Sequence, residues 1–250
     1  MLTFGLLLVA GVGAGLTGSI AGLASLVSYP ALLASGLSPV VANVTNTVAL
    51  VFNSVGSVSA SRPDLVGQAP RLRRLLPVGI TGGAVGGLLV LVTSPEAFAK
   101  VVPVLIGLSS LGVLVQRRPR PLTDADGAIR PDPWWLVPAV FGIGVYGGYF
   151  GAAAGVLLLA ITLYGTGETL PRSNAVKNVV LGGANAVAAV AFAIFGPVSW
   201  TTVLPLAIGC LIGGRIGPLV VRRAPATLLR SVIALAGVGL AVSLALDTYR

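Results

Sequence analysis

Seven polar side chains sit in stretches that are otherwise apolar, and they fall into two sets. Asn43, Asn46 and Asn53 lie in PVVANVTNTVALVFNSVGSV, whereas Asn174, Lys177, Asn178 and Asn185 lie in LPRSNAVKNVVLGGANAVAAV. Wound as helices, the first three asparagines fall within an arc of about 80° and Asn174, Asn178 and Asn185 within about 40°. An amide inside an apolar helix is costly unless it finds a partner. Such a stripe has two readings. It supplies interhelical hydrogen bonds, each worth roughly 0.6–2 kcal/mol in a membrane, or it lines a path for a polar ligand. The recurrence of the stripe favours the path, because amide N–H groups donate to an anion's oxygens without adding a charge that would trap it.

Three further residues bear on the same chemistry. Lys177 occupies the position matching Thr45, about 60° round the helix from Asn174. Its ammonium either snorkels to the membrane interface or faces the path, joined there by Arg215, whose counterpart is the uncharged Ala84. Ser19 offers a hydroxyl at a helix start, where its counterpart is Ala152. Helix N-termini near 19–22 and 152–155 would add unsatisfied N–H groups and a partial positive charge, which suits a small anionic substrate.

Other chemistries lack their residues. The chain has no histidine, one cysteine (Cys210) and seven acidic residues, none inside an apolar run. That argues against a side-chain metal site, a bound cofactor, a disulfide framework and an enzyme built on a buried acid, base or activated nucleophile.

The elements that must position these residues are membrane helices. Of 250 residues, 55% are hydrophobic and 9% charged, where soluble domains carry roughly a quarter charged residues. Several apolar runs exceed the ~18 residues that a bilayer span needs. The net charge of +9 sits in short loops around Arg62–Arg74, Arg117–Arg130 and Arg222–Arg223. That is the pattern of cytoplasmic loops rather than of a nucleic-acid-binding surface. The first apolar run lacks a basic leader and recurs later, so it is expected to stay in the mature protein.

The recurrence is an ordered internal repeat. Gly11, Gly15, Gly18 and Gly22 return as Gly144, Gly148, Gly151 and Gly155; Pro39, Asn46 and Asn53 return as Pro171, Asn178 and Asn185; Gly82 and Gly86 return as Gly213 and Gly217. A first repeat (1–116) and a second (134–250) thus flank a Pro-rich, charged cytoplasmic linker (117–133). Each divides into five segments, 2–17, 19–35, 38–61, 74–93 and 97–116, then 134–150, 152–166, 171–195, 200–221 and 226–246. The first two of each half meet at glycines: Gly18 and Gly22, Gly151 and Gly155. Those glycines serve either close helix packing or a re-entrant hairpin. With the basic loops inside, corresponding segments run in opposite directions, so the expected fold is an all-α membrane protein of two inverted repeats. That arrangement favours the hairpin reading.

GLTGSIAGLASLVSYPALLASGLSPVVANVTNTVALVFNSVGSV resembles the first repeat of the sulfite exporter TauE/SafE permeases, and YGGYFGAAAGVLLLAITLYGTGETLPRSNAVKNVVLGGANAVAAVAFAIFGPVSW resembles their second. The resemblance implies a multi-pass permease of the cell membrane for small, often sulfur-containing anions such as sulfite or a sulfonate. The residues expected to meet the anion are Ser19, Asn43, Thr45, Asn46, Asn53, Asn174, Lys177, Asn178, Asn185 and Arg215.

Overall fold

The computed structural model describes residues 2–98, 100–101 and 131–223. The segment 226–246, most of 97–116 and linker residues 117–130 lie outside the described residues. Every regular element described is helical: α1 (Leu2–Ala21), α2 (Ala24–Ala34), α3 (Pro39–Ala60), α4 (Ala69–Val92), α5 (Leu136–Tyr149), α6 (Ala154–Thr166), α7 (Leu170–Phe195) and α8 (Trp200–Arg223), with a 3-10 turn at Arg62–Leu65. Proline in the first turn opens α3, α4 and α7, where its missing N–H costs nothing. Gly167, at φ 70°, closes α6, a conformation that glycine enters freely.

Helix length separates two kinds of element. Among the described residues α1, α4, α7 and α8 are long and apolar enough to cross a membrane. At 22 residues α3 is also long enough, but its asparagines, threonines and serines lower its hydropathy. By contrast α2, α5 and α6 have 11, 14 and 13 residues. They rise only about 16–21 Å, short of the ~30 Å hydrocarbon core.

Boundaries shift where local chemistry is decisive. α1 runs on to Ala21, past the expected end at 17, and the first break falls at Gly22–Leu23; the second falls at 150–153. The breaks are therefore not at repeat-equivalent positions. α4 starts at Ala69, not at 74, because Pro70 opens it and Arg71, Arg73 and Arg74 lie within its first turns.

Packing between the halves is reciprocal. α1 and α3 of the first half pack most extensively on α8 of the second, and α5 and α7 of the second pack on α4 of the first. Small residues make this possible. Cβ atoms added at Gly11 or Gly15 would run into the α8 backbone, at Gly82 or Gly86 into α5, and at Gly83 into Ala184 of α7. Close backbone approach of this kind is how membrane helices gain packing energy where lipid is as apolar as the protein. Cys210 is buried in the α1–α8 seam.

One end of the bundle is tied by ion pairs between halves. Arg71 meets Asp132 at 2.7 Å and Glu168 at 3.2 Å. Gln68 donates to Glu168 at 2.7 Å, Arg172 stands 3.4 Å from the same carboxylate, and Arg222 meets Asp64 at 2.8 Å. The loops and helix ends at 61–74, 131–133, 166–172 and 222–223 therefore share one face. Single cysteines at exposed positions 73 and 223, on a Cys210→Ala background, are expected to react with an impermeant maleimide from the same side of sealed vesicles. Labelling from opposite sides would contradict this face.

Candidate functional site

The two breaks meet. Gly22, at φ 82°, stands against Gly155 so closely that a Cβ on either would enter the other's backbone. At the second break Gly151 and Ala153 have φ 70° and 61°. Of the four glycines expected at the turns, Gly22 and Gly151 make them. Gly18 lies within α1 and Gly155 within α6; a Cβ on Gly18 would meet Ala24 and the Asn53 amide nitrogen. Tyr29, Phe98, Tyr149 and Phe150 stack edge-on or tilted around the end of α5, with ring centroids 5.3–5.9 Å apart.

A helix ending inside a protein exposes carbonyls that need donors. For α1 these come from α7: Asn174 Nδ2 donates to Ser19 O at 2.9 Å, and Lys177 Nζ to Gly18 O at 2.9 Å and Ser19 O at 3.3 Å. For α5 they come from α3, where Asn43 Nδ2 donates to Tyr149 O at 2.9 Å. The Tyr146 hydroxyl donates to Ala152 O within the turn. Each broken helix is thus capped by the other half.

Lys177 is 0% exposed, so it does not snorkel. Its ammonium lies at a helix C-terminus, where the backbone dipole favours a cation. The remaining expected residues separate. Ser19 turns its hydroxyl back on its own helix, to Gly15 O at 2.6 Å. Thr45 accepts the Ser199 N–H at 3.0 Å. Arg215 is exposed on α8 with Ser59 as its partner at 3.4 Å, away from Lys177.

Asn53, Asn178 and Asn185 do come together. With Gly18, Gly22 and Gly151 they line a cavity of about 30 Å³ between the halves. Asn178 is 5% exposed, yet its Nδ2 has no partner. Ser25, Thr47 and Ser54 also line the cavity, and the asparagine stripe alone did not single them out. For the two on α3 the signal was a shared helical face: Thr47 and Ser54 lie seven residues apart, almost two full turns.

The sulfite exporter TauE/SafE family model matches residues 7–244. The chain belongs to that family. Over 250 residues it is 26% identical to the "Probable membrane transporter protein YfcA" of Escherichia coli (strain K12), covering 99% of this chain and 91% of that one. It is 27% identical to the "Probable membrane transporter protein ORF9" of Sinorhizobium sp, covering 96% and 92%. A "Probable membrane transporter protein" of Haemophilus influenzae is 28% identical over 224 residues, 86% of this chain and 84% of that one. No solved structure matches. This TauE/SafE protein is a membrane transporter, a multi-pass protein of the cell membrane.

The repeat-related asparagines of this TauE/SafE chain are not equivalent. Asn46 is fully engaged by α2, accepting from Ser28 Oγ at 2.5 Å and donating to Ser25 Oγ at 3.0 Å. Asn178 finds no such serines, because the matching positions on α6 are Leu158 and Ile161. Its amide nitrogen is left without a partner.

The Gly22–Gly155 contact is testable by comparison with Gly36, which has φ 91° but open space around it. Gly36→Ala is expected to cost about 1–2 kcal/mol for the backbone alone. Gly22→Ala adds overpacking of about 1–3 kcal/mol. Thermal unfolding in detergent should show the larger loss for Gly22→Ala; equal losses would mean that the two breaks do not touch.

Proposed function

We propose that this transporter is a secondary permease that exports a small, sulfur-containing anion such as sulfite or a sulfonate. In this reading it works through two inverted repeats whose interrupted helices enter from opposite faces. The observation that carries the reading is the cavity at the meeting of the two breaks, with Asn178, whose buried Nδ2 has no partner, among its lining residues. A buried donor without an acceptor costs about 1–3 kcal/mol, and an anionic oxygen in the cavity would relieve it. At about 30 Å³ the space holds a water but no multi-atom oxyanion. The arrangement is therefore a closed one, and substrate enters as the halves move apart.

The reciprocal packing and the mutual capping of α1 and α5 support inverted repeats, the architecture in which rocking of one half against the other exposes a central site alternately. The shared basic face supports a cytoplasmic placement for the loops bearing Arg73 and Arg222. Lys177 lies behind Gly18, one of the cavity residues. No carboxylate is hydrogen-bonded to it among the described residues, so its charge remains available to an anion in the cavity.

The purified protein, screened by thermal shift against sulfite, sulfate, thiosulfate, sulfoacetate and taurine, should be stabilised by at least one of them, by about 2.7 kcal/mol at 100 times its dissociation constant. No shift with any of them would remove the anion reading. Asn178→Leu should abolish both the shift and transport while the protein remains monodisperse; normal transport by this variant would make Asn178 a packing residue.

In Lys177→Met the α1 end stays partly capped, because Asn174 still serves Ser19 O and the Gly22 N–H still serves Gly18 O. The expected effect is a several-fold loss of anion affinity with a weaker dependence on ionic strength. Unchanged affinity would confine Lys177 to capping.

A further inference from the structure

Resting on the reading of the cavity as an anion site, we propose that Ser25 is a ligand-contacting donor. Asn46 and Ser28 hold it in that role, so the site favours an anion that presents an accepting oxygen there. Ser28 Oγ stands 3.0 Å from Ala24 O but only 2.5 Å from the Asn46 side chain. That length belongs to an O–H···O bond; N–H···O bonds run from about 2.7 to 3.2 Å. The Asn46 carbonyl therefore faces Ser28, and its Nδ2 faces Ser25 at 3.0 Å, an ordinary N–H···O distance.

The polarity of the chain follows. Ser28 gives its single hydrogen to the nearer acceptor, Asn46 rather than Ala24 O, and Asn46 donates to Ser25. With its oxygen receiving the amide hydrogen, Ser25 has its own hydroxyl hydrogen to give, and no acceptor for it stands among the described residues. Ser25 is 4% exposed and lines the cavity, in the first turn of α2, whose N-terminus has no side-chain cap. The other hydroxyls on the wall have already donated, Thr47 to Asn43 O and Ser54 to Leu50 O.

Asn178 contributes the second free donor, from the opposite half. Two donors and an uncapped helix N-terminus therefore converge on one small space, an arrangement that favours oxyanion oxygens. The ligand atom at that position must accept, which a bare anionic oxygen does with any lone pair and a ligand hydroxyl only with its own hydrogen turned away. The second half has no equivalent chain, since Leu158 and Ile161 replace the two serines.

The test uses the full chain in nanodiscs, with binding of sulfite and methanesulfonate measured calorimetrically. Ser25→Ala is expected to raise Kd about tenfold for an anion that the wild type binds, the size of effect given by one hydrogen bond to a charged group. Ser25→Thr, which keeps the hydroxyl, should retain most of the affinity. If Ser25→Ala does not fold, Ser25→Cys supplies a weaker donor at nearly the same volume, with the same loss expected.

Ser28→Ala is the decisive variant, because Ser28 does not line the cavity. Without its donor, Asn46 turns its carbonyl to Ser25 and takes the hydroxyl hydrogen, so affinity should fall as in Ser25→Ala. If the wild type binds sulfite or methanesulfonate and the Ser25 and Ser28 variants bind equally well, the assignment of Ser25 is overturned while the cavity remains an anion site. If the wild type binds neither, the cavity reading falls and the assignment with it.

Discussion

The fold depends on ending two helices inside an apolar protein. Water is not available there to satisfy the last carbonyls, and each group left bare costs several kcal/mol in hydrocarbon. The protein meets this constraint with side chains from the opposite half: Asn174 and Lys177 for α1, Asn43 for α5. Because the donors come from α7 and α3, neither half can complete its own broken helix. The two halves are joined at the centre by hydrogen bonds as well as by packing.

The glycines follow from the same constraint. Bringing α7 close enough for a lysine and an asparagine to reach α1, and α3 close enough to reach α5, requires close approach throughout the bundle. The Gly11–Gly15 seam on α8, the Gly82–Gly86 seam on α5 and the Gly22–Gly155 contact supply it. Lys177 is the most demanding member. It is fully buried, and its hydrogen-bond partners are carbonyls rather than a carboxylate. A buried cation is tolerable at the negative end of a helix, and this one lies beside Gly18, a residue of the cavity wall.

The two halves share a plan but differ in chemistry at the centre. Asn46 and Asn178 are related by the repeat, yet one is held by Ser25 and Ser28 and the other is free. Thr45 and Lys177 are likewise related, yet one accepts a backbone N–H near α8 and the other caps α1. The recurring glycines give the bundle its close packing, and where the two sequences depart from each other Asn178 Nδ2 is left without a partner.

Much of this was legible in the sequence, for reasons of energy. Apolar runs of span length, with few charges, determine a helical membrane protein, and the ordered recurrence of glycine, proline and asparagine determines two related halves. The expense of an amide in an apolar helix marked α3 and α7 as the helices bearing the centre. The partner of each amide was not legible, because it lies 106 residues away for Asn43 and 155 for Asn174. Arg71 looked like loop charge until Asp132 and Glu168 stood beside it at the start of a helix. Which polar residues face the cavity and which are spent on caps was decided only when helices distant in sequence came within hydrogen-bonding distance, since spacing along a helix gives a residue's face but not what that face meets.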